Sequence, residues 1–263
     1  MIAIFLLSSC ASLSKYPGVG RVKQYTIVSP DLPSAFNGFR IAFASDFHLK
    51  SKFKENHLRN AVQAIQYHQP DILLLGGDYQ EGCQYVSPLF TALGSIHTPY
   101  GTYAVMGNND YERCSDEIRH AMQANGIHLL EHTCDTLYRQ GQRIIISGVG
   151  NGFDRKRYGI SPTASLHDDD YVILLTHTPD YAEETDICHT DLALAGHTHG
   201  GQVTLFGWIV PETGSKYGKR FLSGLNYTSK GIPVITTNGL GTSRKNIRMG
   251  ARSEIVIVTL KKE

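Results

Sequence analysis

The sequence predicts an α/β fold in which two β-sheets pack face to face with helices outside. Three observations carry that prediction. The first half of the 263-residue chain alternates short apolar runs with amphipathic stretches, and the second half is rich in strand-like runs. The polar residues best suited to chemistry stand directly behind several of those runs, where open α/β sheets place their sites.

Taken in order, residues 25–28 and 39–44 read as strands, and residues 56–68 as a helix with Leu58, Val62 and Ile65 on one face. A strand at 72–75, a helix around 89–96 and a strand at 102–106 follow. A helix from about 115 to 125 has Ser115 as its expected N-cap and Gly126 as its stop. Residues 137–139 and 143–149 predict a hairpin around Gln140-Gly141-Gln142. Strands at 171–176, 192–195, 201–205, 233–237 and 255–260 complete the second half.

The length suits one large α/β domain, and 41% hydrophobic residues can fill its core. A net charge of +1 gives no reason to expect a polyanionic partner, so nucleic acid is not expected.

Five short blocks carry the chemistry: Asp46-Phe47-His48, Gly76-Gly77-Asp78, Gly107-Asn108-Asn109-Asp110, His177 in Thr176-His177-Thr178-Pro179, and Gly196-His197-Thr198-His199-Gly200-Gly201. Singly, each reads as easily as a turn, a cap or a core histidine. Together they offer Asp46, His48, Asp78, Asn108, His177, His197 and His199, too many ligands for one tetrahedral zinc and without the cysteines of a structural zinc site. Mixed oxygen and imidazole ligands suit manganese, iron or zinc better than magnesium or calcium. Two ions sharing a carboxylate, roughly 3.5–4 Å apart, would clamp a phosphoryl displacement and make hydroxide available near neutral pH.

These blocks resemble the calcineurin-like metallophosphoesterase superfamily across roughly residues 38–260. The resemblance implies a four-layer αββα sandwich of two mixed sheets. It also implies one ion held by Asp46, His48, Asp78 and His199, and a second held by Asp78, Asn108, His177 and His197, with Asp78 bridging. The expected cofactors are therefore two divalent ions, Mn²⁺ first, with iron or zinc as alternatives. Ser45-Asp46-Phe47-His48-Leu49, Thr176-His177-Thr178-Pro179-Asp180, Gly200-Gly201-Gln202 and Gly239-Leu240-Gly241-Thr242 with Ile247-Arg248 resemble the membrane-associated YkuE/YaeI-like branch, which includes UDP-2,3-diacylglucosamine hydrolases of lipid A synthesis.

One position departs from the superfamily pattern. Asn109 stands where a histidine is usual, and asparagine donates a hydrogen bond but supplies no proton at neutral pH. Asn109 and Asp110 are the expected catalytic pair, facing the phosphoryl oxygens. Their chemistry fits either a weakened enzyme or a substrate whose leaving group needs no protonation, such as a nucleoside monophosphate released from a pyrophosphate. The expected substrate is a phosphorylated small molecule or a lipid-linked phosphate, with UDP-2,3-diacylglucosamine cleavage to lipid X and UMP as the favoured case. A general phosphodiesterase or phosphomonoesterase of the envelope, and a catalytically silent metal-binding lipoprotein, are the alternatives.

Several loops bear on the substrate. Asp154-Arg155-Lys156-Arg157-Tyr158 offers an anion grip or merely a solvated loop, and His167-Asp168-Asp169-Asp170 follows it. Arg244, Lys245, Arg248 and Arg252 form a second basic cluster, and residues 208–217 an aromatic, glycine-bearing segment. At the N-terminus, Leu7-Ser8-Ser9-Cys10 resembles a bacterial lipobox behind an apolar run without a preceding Lys or Arg. Residues 1–24 are therefore expected to be a signal, lipoprotein or anchor segment with its tether, and residues 25–263 the catalytic domain at a membrane surface of the bacterial cell envelope. Without Cys10, four cysteines remain, which allow two disulfides or four thiols.

Overall fold

The computed structural model describes residues 9–13, 15–50, 53–205 and 209–263, with side chains from residue 15 onward. The apolar start at residues 1–8 and the Cys10 side chain of the expected lipobox lie outside the described residues. Strand β1 (Ser9–Leu13) pairs antiparallel with β2 (Arg21–Ser29), so the first sheet takes in part of the stretch expected as a tether.

The first sheet continues from β2 to the parallel C-terminal strand β13 (Glu254–Lys262), then to β3 (Arg40–Ala44), β4 (Ile72–Leu75), β5 (Thr102–Ala104) and β6 (Ile127–Leu129). Only β1/β2 and β13/β3 are antiparallel in it. The second sheet has the order β11 (Gly224–Tyr227), β12 (Pro233–Thr236), β10 (Leu192–Ala195), β9 (Val172–Thr176), β8 (Gln142–Gly148), β7 (Thr133–Arg139). Its two outer pairs are antiparallel and its centre is parallel. Both sheets are mixed, as expected.

Residue alternation explains the layers. Ile41, Phe43, Ile72 and Leu74 face Ile146, Ile173, Leu175, Leu192 and Leu194 in the core between the sheets. Their neighbours Ala42, Ala44, Leu73 and Leu75 lie in an outer core with Leu58, Ala61 and Ile65 of α1 (Glu55–Tyr67), Leu89 and Phe90 of α2 (Val86–Gly94), and Ile118 and Met122 of α4 (Ser115–Ala124). On the far side, Leu174, Ala193, Ala195 and Val234 meet Tyr181 and Ala182 of α6 (Pro179–Glu184). Strands covered on both faces need apolar residues throughout, which is why ILLL and LALA are continuous runs. Helix, sheet, sheet and helix give the αββα sandwich.

Two local expectations change. Cys114, not Ser115, precedes the first turn of α4, with a left-handed φ of +64° and no capping side chain, and its sulfur is bonded to Cys83. Residues 201–205 do not form a strand. Gly201 at φ +77° ends a one-turn 3₁₀ helix, and the chain beyond it makes only single bridges, Val203 with Met249 and Gly250, and Leu205 with Ile209. The hairpin turn falls on Gln140 and Gly141, both at positive φ, as a tight two-residue turn requires.

Candidate metal centre

Every ligand-bearing block leaves the C-terminal end of a strand. Asp46 and His48 follow β3, Asp78 follows β4, and Asn108 follows β5 at the start of the short helix α3 (Asn108–Glu112). His177 follows β9, and His197 and His199 follow β10. The first sheet thus supplies the carboxylates, the amide and one imidazole, and the second sheet supplies three imidazoles. Asp46, His48, Asp78, His197 and His199 all have left-handed φ, between 41° and 70°. Such backbone is costly outside glycine and collects at functional sites, where the surrounding structure holds it. The glycines beside them make room: a Cβ on Gly107 would collide with the Asp78 carboxylate, and one on Gly241 with the Phe47 carbonyl.

Two ligand groups result, Asp46–His48–His199 and Asp78–His177–His197, each with its ligand atoms within 4.8 Å of one another. In the first, Nε2 of His48 lies 3.2 Å from Nε2 of His199, and Asp46 Oδ1 lies 3.4 Å from the same His199 nitrogen. In the second, His197 Nδ1 lies 3.2 Å from His177 Nε2. Asp78 joins them, with Oδ2 3.5 Å from His48 Nε2 and 3.4 Å from His177 Nε2. Buried Asn108 Oδ1 has no hydrogen-bond partner, which leaves it available to a cation. Imidazole nitrogens aimed at each other, a carboxylate oxygen between them and an orphaned amide oxygen are the donor set of a two-ion site. The residues fit the pair of divalent ions.

The supporting contacts fix orientation. His177 Nδ1 donates to the Gly76 carbonyl at 2.7 Å, which fixes the ring with Nε2 turned toward Asp78. His48 Nδ1 meets Glu81 Oε1 at 2.7 Å, a carboxylate–histidine pairing of the kind that steadies a ligand. Asp78 Oδ1 accepts the Asn109 N–H at 3.0 Å, so the other oxygen faces the two groups. Asp46 accepts from the Ser45 hydroxyl and the His197 N–H. Burial, then the charge of His177, pushes His197 down to about 3, and burial with the His48 and Arg248 charges drives His199 well below its usual value. In the other direction and against the cost of burial, Glu81 with Asp78 and Asp46 raises His48, and Asp78 raises His177 to about 10. Against the cost of burial, the charge of and hydrogen bond from His177 hold the Asp78 carboxyl below its ordinary range.

The two expected catalytic residues separate. Asn109 lies at the centre, its Nδ2 3.4 Å from His48 Nδ1 and its Oδ1 accepting from Asn108 Nδ2. Asp110 turns inward instead of facing the phosphoryl oxygens. Its fully buried carboxylate accepts the backbone N–H of Gly107, Asp78 and Tyr79 at 2.8, 2.7 and 3.0 Å. It is a fastener between two ligand loops, because those three N–H groups would otherwise be unsatisfied.

Sequence reasoning missed the parts played by Glu81 and Phe153. Glu81 lies in no ligand block. Phe153 is half-exposed and rests edge-on against His197, with ring centroids 4.9 Å apart, and it follows a strand by a loop with no motif. Arg248, expected in the second basic cluster and in the Ile247-Arg248 pair, is drawn inward. Its guanidinium donates to the carbonyls of His199, Ala251, Asn238 and Gly241, and NH2 lies 3.3 Å from His199 Nδ1.

The other loops fall elsewhere. Arg155 opens a single helical turn, α5 (Arg155–Tyr158), and is spent on Thr185, Glu184 and the Asp180 carbonyl. Lys156 and Arg157 line a cavity of about 510 Å³ with His132. Asp170 pairs with Arg143, and Asp168 with His189. A second cavity, about 570 Å³, opens from His197 and His199 toward Gln202, Arg244, Lys245 and Ile247. Cys83 and Cys114 form a disulfide, while Cys134 and Cys188 are free thiols. Among the described residues no helix is long and apolar enough to cross a membrane.

Comparison with known proteins agrees with this geometry. The calcineurin-like phosphoesterase family model matches residues 39–201. The uncharacterized metallophosphoesterase YkuE of Bacillus subtilis (strain 168) is 29% identical over 252 residues, 93% of this chain and 87% of its own length. An uncharacterized metallophosphoesterase of Aquifex aeolicus (strain VF5) is 28% identical over 99% of this chain and 98% of its own. Among solved structures, the NAD nucleotidase NadN of Haemophilus influenzae gives a TM-score of 0.50 at 13% identity, over 77% of this chain and 45% of that one. That likeness shows the fold alone. The chain belongs to the calcineurin-like phosphoesterase family, and the two ligand groups are its candidate dimetal centre.

Proposed function

We propose that the protein is an envelope phosphodiesterase that hydrolyses a phosphodiester or pyrophosphate bond of an amphiphilic substrate at a membrane surface. The observation that carries the hydrolytic part is Asp78 Oδ2, set 3.5 and 3.4 Å from a nitrogen of each ligand group. When bound, two divalent ions would polarise the phosphoryl group and lower the pKa of a water molecule between them. The side chains supply the rest. Asp78, held by the Asn109 N–H, is pre-oriented toward both groups. Phe153 covers one flank of His197 and limits solvent there. Asn109 can donate a hydrogen bond to a phosphoryl oxygen but cannot protonate a leaving group, which favours leaving groups stable as anions.

The cavity beside His197 and His199 supports an amphiphile. Arg244 and Lys245 stand at its rim with Ile247, while Leu205, Ile209 and Met249 are exposed nearby and linked by backbone pairing. Apolar surface next to cations suits an acyl chain attached to a phosphate, and a membrane interface. UDP-2,3-diacylglucosamine has that chemistry, with UMP as a leaving group that needs no proton. Its hydrolysis would require the cytosolic face. The Cys83–Cys114 disulfide favours an oxidising compartment, and therefore an envelope phosphodiester over the nucleotide-linked lipid.

The test is an assay of the full chain with Mn²⁺ against bis-p-nitrophenyl phosphate, a diacyl phosphodiester in mixed micelles and UDP-2,3-diacylglucosamine, with His197→Ala as control. Metal-dependent cleavage of the diesters, lost in the control, is expected. Release of UMP far faster than either diester is cleaved would move the enzyme to the cytosolic face and to the nucleotide substrate. No turnover of any of the three would sink the enzymatic reading.

A further inference from the structure

The disulfide joins two segments that both serve the metal centre. Cys83 ends the stretch that begins with Asp78 and passes through Glu81, the carboxylate on His48 Nδ1. Cys114 ends the stretch that begins with Asn108 and passes through Asn109 and Asp110. Their Cα atoms are 5.6 Å apart, within the span a disulfide bridges. At their bases the two stretches are fastened by the Asp110 carboxylate on the N–H groups of Asp78 and Tyr79. Nearer the tips the fastening is sparse, with Gln80 Nε2 reaching the Arg113 carbonyl at 3.3 Å. Gln80 in turn accepts from the Gly82 N–H. Glu81 donates its N–H to the Leu49 carbonyl at 3.3 Å and faces Lys50 Nζ at 3.7 Å, and the disulfide pins the chain two residues beyond it.

We propose that the Cys83–Cys114 disulfide is a positioning strut of the metal centre, holding Glu81 on His48 and the Asn108–Asn109 turn against Asp78, so that metal affinity depends on its oxidised state. This rests on the dimetal reading. The physical case has two parts. A metal-bound histidine is oriented by the partner of its other nitrogen, and loss of that partner typically weakens metal binding 10- to 100-fold. Glu81 is that partner for His48, and its side chain is 22% exposed, whereas His48 is fully buried. The imidazole is enclosed on all sides, whereas the carboxylate is part-exposed and held by His48, Lys50 and the backbone of its own loop. Opening the disulfide frees two ends of chain that are otherwise close by constraint, and the loop gains the conformations the bond had removed.

The bond is within reach of reductants, because Cys83 is exposed. A dithiol breaks it by exchange. Two electrons and two protons pass to the protein, giving thiols at Cys83 and Cys114, and the dithiol closes to its own cyclic disulfide. Cys114 meanwhile keeps its contact with the outer core beneath α4, so the segment expected to move is 79–83.

A merely stabilising disulfide would lower the melting temperature on reduction and leave metal affinity alone. The experiment therefore measures Mn²⁺ binding by calorimetry on the full chain in three forms: oxidised, reduced with the dithiol then removed under anaerobic conditions, and Cys83→Ser/Cys114→Ser. Hydrogen exchange is followed in parallel at residues 79–83 and 108–113. The expected result is Mn²⁺ affinity about 10-fold weaker in the reduced and double-variant forms, with faster exchange at those residues. Glu81→Gln, with the disulfide intact, should show a comparable loss of affinity. Unchanged affinity on reduction, with only a lower melting temperature, would overturn the strut. If the oxidised protein bound none of Mn²⁺, Fe²⁺ and Zn²⁺, the dimetal reading itself would fall, and the strut with it. Should the double variant not fold, the reduced wild-type chain gives the same comparison.

Discussion

The carboxylate of Asp110 accepts the backbone N–H of Asp78 at 2.7 Å, so one acidic side chain fixes the peptide that carries another. With Gly107 and Tyr79 it accepts three buried N–H groups in all. Asp110→Ala should therefore leave three donors unsatisfied and cost more than about 3 kcal/mol in urea unfolding. Asp110→Asn keeps an acceptor oxygen and should cost less. Equal losses for the two would show that the carboxylate's hydrogen bonds are not what matters.

Asp78 reaches both ligand groups, whereas His199 belongs to the first alone. Calorimetry should find two Mn²⁺ sites in the wild-type chain and one in His199→Ala. Asp78→Ala should weaken both sites together. If Asp78→Ala instead removed a single site and left the other at full affinity, the bridging role would be wrong.

Asn109 lies 3.4 Å from His48 Nδ1, and no other side chain of its block is free to give a proton. Turnover should fall steeply from p-nitrophenyl to alkyl leaving groups. Asn109→His should raise kcat/KM on the alkyl diesters by about 100-fold, the lower end of what general acid catalysis supplies, and change p-nitrophenyl ester hydrolysis little. A variant slower on both substrates would indicate that the amide, not the missing acid, is what the substrate uses.

Far from the centre, Asp191 is raised to about 6, by burial first and by the charge of Asp31, while the Val172 N–H opposes the shift. A carboxyl whose folded pKa lies above its unfolded value contributes stability below pH 4 that is lost as pH rises through about 6. Asp191→Asn can still accept from Val172. It should gain up to about 3 kcal/mol over wild type at pH 8 and nothing at pH 4, read from thermal melts at both pH values. A gain of the same size at both would rule out ionisation as the cause.

The strands were legible because burial on both faces forces continuous apolar runs, as in residues 72–75 and 192–195. The ligand types were legible because the chemistry dictates them. What sequence did not carry was direction. Asn109 and Asp110 are neighbours, yet one faces the centre and the other the backbone beneath it, and only the arrival of Asp78 from the adjacent strand settles that. The left-handed backbone at Asp46, His48, Asp78, His197 and His199 has no signature in residues that rarely adopt it. The strand expected at 201–205 failed where Gly201 turns the chain, and the cap expected at Ser115 falls on Cys114, which is bonded to a residue 31 positions away. Short edge strands such as β6 and β11 are three and four residues long, too brief for alternation to register.

The ligands are divided between the two sheets: Asp46, His48, Asp78 and Asn108 come from one, and His177, His197 and His199 from the other. An ion held by both is a cross-link across the sandwich as well as a reagent. Pulling the sheets apart would then mean breaking coordination bonds, and occupancy adds to the folding free energy as the logarithm of free metal over its dissociation constant. The same seam that places the chemistry makes the metal supply a determinant of how long the folded molecule lasts.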